Sequence, residues 1–162
     1  MSYLDLVKTP LIALAEEVQA IKDGELAAFK TVAMTEPDKL DIKRMPAVYI
    51  LLDDDAIERK TKYLEIHTLS VTFSVIHVVK GTTHRDTDLE KGFHDGLKLV
   101  GLVYDTLSTN RSYNIELVDY GRIPLDTGVV FWGEINLKLS LRYAPGKPDE
   151  AVLMQEVYTK EA

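Results

Sequence analysis

Apolar residues recur along the first twenty-odd positions at spacings of three and four. Leu4 and Val7, then Leu11, Leu14, Ala15, Val18 and Ile21, fall on one side of a helix. Thr9-Pro10 suits the start of the main helix, with Thr9 as N-cap and Pro10 at the first helical position. Asp23-Gly24 reads as its stop, since glycine tolerates the left-handed conformation that follows many helices. A short apolar segment, FKTVAM (29–34), predicts a first strand, and the polar TEPDKLDIKRM after it reads as a loop. Ala47 to Leu52 is apolar on both faces and predicts a strand, with Pro46 at its start where no ladder hydrogen bond is asked of it. The charged DDDAIERKTK that follows reads as a loop. From Tyr63 to Val79, Leu69, Val71, Phe73 and Val75 alternate with Thr68, Ser70, Thr72 and Ser74. That is the pattern of a strand with one apolar and one polar face.

The period then changes. Leu89, Phe93, Leu97, Val100, Tyr104 and Leu107 form a stripe at helical spacing, with Thr87 as the expected N-cap. Gly92, Gly96 and Gly101 lie inside this helix. Each weakens it by roughly 1 kcal/mol relative to alanine, and each permits close approach to a sheet or another helix. Two strands follow, Tyr113 to Tyr120 and Val129 to Tyr143. The second places Val129, Phe131, Ile135, Leu137, Leu139, Leu141 and Tyr143 on one face, and Trp132, Glu134, Asn136, Lys138, Ser140 and Arg142 on the other. The order predicts an α+β domain over residues 1–144, a mostly antiparallel sheet with two helices packed on one face. Residues 145–162 read as a C-terminal extension. Pro145 and Pro148 break its start, and Val152, Leu153, Met154, Val157 and Tyr158 supply a short apolar series. The extension is too short to build its own core. It is expected to dock on its own domain or on a neighbouring subunit.

Composition narrows the chemistry. The chain has no cysteine, which excludes thiolate catalysis, a disulfide scaffold and sulfur-ligated zinc. No apolar run approaches the roughly 18 residues of a membrane span, and the N-terminus has no signal-peptide pattern. The net charge of −7 disfavours general binding to a duplex.

The sharpest enzymatic reading is a metal-dependent nuclease. Pro37-Asp38 followed after a spacer by Glu58-Arg59-Lys60 matches the carboxylates and lysine that hold a divalent ion and assist an attacking water. The pattern asks for its second half on a strand bounded by apolar residues, and the polar setting of Glu58 and Lys60 speaks against it. Asp53, Asp54 and Asp55 lack the spaced ligands of an EF-hand. His67 and His77, about 33 Å apart on an extended strand, cannot share a metal, and the four histidines read as polar surface or interface groups. No phosphate loop or nucleophile elbow is present. No cofactor is expected.

The plan as a whole resembles a known family. An amphipathic N-terminal helix, the strand Pro46-Ala47-Val48-Tyr49-Ile50, and the long strand through Tyr63 to Val79 come first. A helix from near Asp88 ending in Tyr104-Asp105-Thr106-Leu107 and a strand ending Leu139-Ser140-Leu141-Arg142-Tyr143 complete it. This is similar to the tail terminator (tail completion) proteins of long-tailed bacteriophages, over roughly residues 3–143. The resemblance implies a non-enzymatic protein of the virion, assembled in the host cytoplasm. It implies a hexameric ring that caps the tail tube protein, joins it to the head–tail connector protein and passes DNA through its lumen without specific binding. Another phage neck component and the nuclease are the alternatives. Under this reading Asp53, Asp54, Asp55, Glu58 and Arg59 are available for ring or tube contacts, Trp132 marks a protein contact on the polar strand face, and Val152, Leu153, Val157 and Tyr158 form the docking extension.

Overall fold

The computed structural model describes residues 2–35, 39, 41–80, 86–109, 113–125 and 128–144. Helix α1 spans Tyr3–Gln19. It starts seven residues earlier than the Thr9-Pro10 signal predicts, because Ser2 caps it: the Ser2 hydroxyl accepts from the Asp5 N–H at 3.2 Å and donates to the Asp5 carboxylate at 2.8 Å. Pro10 therefore lies inside the helix, where its missing N–H costs one ladder bond. Burial of Leu6, Leu14 and Val18 offsets that loss. Asp23-Gly24 is not the helix stop. The helix ends at the Ala20 cap, and Gly24 (φ 69°) occupies the turn of a small hairpin, β1 (Lys22–Asp23) with β2 (Leu26–Ala27). A glycine with positive φ opening a two-residue loop matches the twist of the flanking strands.

The main sheet contains β3 (Thr31–Ala33), β4 (Ala47–Thr61), β5 (Leu64–Lys80), β6 (Tyr113–Leu125) and β7 (Gly128–Tyr143), in the order β3-β4-β5-β7-β6. Only the short β3–β4 pair is parallel. Helix α2 (Asp86–Ser108) precedes β6, so Thr87 lies within the helix rather than at its cap. Both helices cover one face of the sheet, as the α+β reading predicts. Val48, Ile50, Leu69, Val71, Phe73, Ile135 and Leu137 from the strands form one core with Leu14, Val18, Leu99 and Val103 from the helices.

Two expectations fail here for physical reasons. DDDAIERKTK is not a loop: it forms the second half of β4 as far as Thr61, paired with β5 as far as Leu64. Hydrogen bonding to β5 overrides the low strand propensity of aspartate. The α2 stripe is rotated. Leu99, Val100, Val103 and Leu107 are buried, whereas Phe93 and Tyr104 are 46% and 41% exposed. The side chain of Leu89 lies outside the described residues. The glycines explain the rotation. A Cβ on Gly133 would sit 2.4 Å from the Val100 side chain, and one on Gly96 3.4 Å from Phe131. Helix and sheet thus approach each other through small residues, and the large ones move to the flank.

The opposite face of the sheet carries a smaller apolar cluster of Met45, Ala47, Tyr49, Ile76 and Val130, against which Trp132 packs. The indole lies across Gly121, where an added Cβ would come within 2.2 Å of the ring. Gly121→Ala is therefore expected to displace the single tryptophan and cost about 1–3 kcal/mol, the usual range for overpacking. A red shift of tryptophan emission together with a lowered melting temperature checks this. Unchanged emission contradicts it.

Candidate functional site

The acidic run from Asp53 to Arg59 is the sequence's main candidate for contacts, and its geometry follows from a β-bulge. β4 pairs Leu52 with Val71 and then Asp54 with Ser70, so Asp53 is an extra residue. Before the bulge the even positions Val48 and Ile50 face the helices; after it the odd position Asp55 does. One inserted residue thus turns the three aspartates to different surroundings. Asp53 accepts a short hydrogen bond from the Thr72 hydroxyl on the face away from the helices. The Thr72 hydroxyl also lies 2.6 Å from the Asn136 amide oxygen, so its single proton is shared between two acceptors. Asp54 is exposed. Asp55 turns inward.

Asp55 belongs to a polar cluster that histidine spacing did not reveal. His67 is 1% exposed, not a surface group. Its Nδ1 lies 2.9 Å from the Asp55 carboxylate and its Nε2 3.0 Å from Glu65. Each ring nitrogen thus has a carboxylate within hydrogen-bonding distance. The Tyr3 hydroxyl donates to Asp55 at 2.7 Å, and Arg59 Nη2 reaches Glu65 at 3.3 Å. The Tyr3 and Tyr143 rings flank the imidazole at centroid distances of 5.8 and 5.7 Å. The hydrogen bond to Asp55, with desolvation and the carboxylate charge, pushes the Tyr3 phenol above its ordinary range. The cluster joins α1, β4, β5 and β7 at one end of the sheet. With both nitrogens occupied and the ring sealed, His67 is placed to hold these elements together rather than to exchange protons with a substrate.

The nuclease pattern does not assemble among the described residues. Glu58 pairs with Lys60 at 2.7 Å along one face of β4, and Arg59 points to Glu65. Asp38 lies outside the described residues. Among the described residues no group of three histidines or carboxylates is placed to hold a metal ion.

His77 lies at the other end of β5. Burial pushes its ring below the ordinary histidine value, with Asp95 partly opposing. Its Nδ1 is buried with no hydrogen-bond partner among the described residues. The neutral ring is thus favoured in the fold, and the unfolded chain binds more protons as pH falls through about 6.5. His77 is expected to contribute a loss of stability on acidification below that pH, and His77→Gln to flatten the curve. Urea melts of the two proteins between about pH 7.5 and 5 check the difference in slope. Parallel curves contradict it. Nearby, Lys98 is pushed up by its 2.7 Å contact with Asp23, which ties the small hairpin to α2.

The remaining sequence candidates divide. Trp132 is half-buried on the apolar cluster described above, whereas Val152, Leu153, Val157 and Tyr158 lie outside the described residues. A feature that no sequence motif announced is a groove of about 360 Å³ between α2 and the β6 edge, lined by Glu90, Phe93, Tyr120, Gly121, Arg122 and Phe131. Its only sequence signal was Phe93, which the helical stripe assigned to the core.

No family model and no curated protein sequence matches the chain. Among solved structures, the fold is similar to that of a chain in the virion of a native gene transfer agent (GTA) particle. The TM-score is 0.50 at 14% identity, and the match covers 86% of this chain and 99% of that one. At that identity the likeness is one of fold.

Proposed function

We propose that this chain is a structural protein of a phage-like particle, and more narrowly a tail terminator. In this reading six copies form a ring that ends the tail tube, joins it to the head connector and lets DNA pass. The observation that carries the proposal is the extent of the fold match, which takes in 99% of a chain that is part of a virion. Three further features support it. Asp53, Asp55 and Glu58 of β4 each engage a different partner rather than gathering as a reaction centre. A net charge of −7 suits a channel that DNA must slide through without being gripped. The edge strand β6, and the part of β4 that runs on past the three-residue edge strand β3, offer surfaces for lateral contacts.

A ring that caps a tube acts by occupying the site where the next tube subunit would add. Deleting the gene should therefore yield tubes of uncontrolled length without attached heads, and supplying the chain in trans should restore both. Normal tail length and normal head attachment in the deletion strain would overturn the tail-terminator assignment.

A further inference from the structure

We infer that the groove between α2 and β6 is the docking site for the apolar C-terminal segment, Val152 to Tyr158, of a second copy of this chain. The groove presents more apolar surface than a monomer needs. Phe93 and Tyr120 are 46% and 47% exposed, and the Phe93 and Phe131 rings stand 6.2 Å apart at its base. Arg122 and Glu90 line its polar side. The segment has matching chemistry. Leu153, Met154, Val157 and Tyr158 share one face at helical spacing, and Glu156 lies among them to meet Arg122.

Reach decides between the chain's own groove and a neighbour's. The described chain ends at Ala144, one residue past the end of β7. Phe131 lies twelve residues back along that strand, about 40 Å at strand rise. Leu153, ten residues past Tyr143, extends at most about 33–36 Å from it. The chain must also reverse direction to run back along the sheet. A helical segment shortens the reach further, since a helix rises only about 1.5 Å per residue. Val152 and Leu153 therefore fall short of the Phe131 end of their own groove. They would meet its Tyr120 end, paired with Gly133 about 33 Å back, only as a fully extended chain with no residues left for the turn. A neighbouring copy can bring its groove to them. A tail-to-groove contact joins two different surfaces and propagates head to tail, the geometry from which closed rings are made. The inference concerns contacts between copies and does not depend on the particle assignment.

The absence of cysteine permits a direct test. Purified Leu153→Cys and Tyr120→Cys chains are mixed and oxidised, and the products resolved on a non-reducing gel. The expected result is a disulfide-linked pair containing one chain of each kind, in several-fold excess over either like pair, and lost when Phe93→Asp is added to the Tyr120→Cys chain. Circular dichroism of the Phe93→Asp variant, whose site is exposed, confirms that it folds. Absence of the mixed pair, or like pairs in equal yield, overturns the inference. So does a doubly substituted chain that closes on itself as a monomer. The cross-link is read on the purified chain, so its failure leaves the particle assignment standing, and failure of the deletion phenotype leaves the cross-link standing.

Discussion

His67→Leu is expected to destabilise the protein by about 3–5 kcal/mol, the usual cost of removing one partner from a buried charged cluster. Leucine fills much of the ring's volume but donates nothing. Asp55 and Glu65, whose side chains are only 10% and 13% exposed, then face an apolar group with their desolvation uncompensated. Their remaining partners are Tyr3 for Asp55 and Arg59 for Glu65. For a chain of this length each kcal/mol corresponds to about 2–4 °C, so the melting temperature should fall by on the order of 10 °C. Adding Asp55→Asn should recover part of the loss, because the pair is coupled through direct contact. Thermal melts of the four proteins in the cycle measure the coupling. A His67→Leu variant within about 1 kcal/mol of the parent would show that the cluster holds nothing together.

Phe73→Ala is the second large effect. The ring is fully buried in the centre of β5, beneath both helices, between Ile50 of β4 and Ile135 of β7. Truncation should cost about 3–5 kcal/mol, combining lost transfer energy with the cavity left behind. Phe93→Ala makes the informative comparison. Periodicity alone assigns Phe93 to the same core and the same cost, yet its ring is 46% exposed in the groove. Its replacement should cost well under half as much. Urea denaturation of both variants decides the matter through the shift in midpoint at constant slope. Equal losses would return Phe93 to the core and remove the groove.

The contrast shows how far the sequence was legible. Strand alternation in β5 and β7 identified the helix-facing residues, because a two-residue period survives wherever one face is buried. Leu69, Val71, Phe73, Ile135 and Leu137 all lie where alternation puts them. The helical stripe of α2 did not survive. Gly96 and Gly133 make the closest approach between helix and sheet, and a pattern built on large apolar residues gives no weight to small ones. The N-terminal helix was shortened by a proline signal, because the Ser2 cap and the burial of Leu6 outweigh one missing N–H.

The candidate site was harder to read than the core. Charged residues at a sheet edge look like a loop when only propensity is considered. Their destination depends on the bulge at Asp53, which reverses the facing of every residue after it. The pairing of Asp55 with His67 spans twelve positions, and its contact with Tyr3 spans 52. No local spacing encodes either. The groove was hidden for the related reason that it forms between elements, from residues of α2, β6 and β7 that are far apart in sequence.

The most direct measurement of the central claim is the position of this chain in purified particles. Particles from the host that encodes it are isolated on a density gradient, labelled with gold-tagged antibody against the chain, and imaged by negative stain. The account predicts one labelled site per particle, at the junction of tail and head. Label absent from every particle, with the chain recovered only in the soluble fraction, would contradict it.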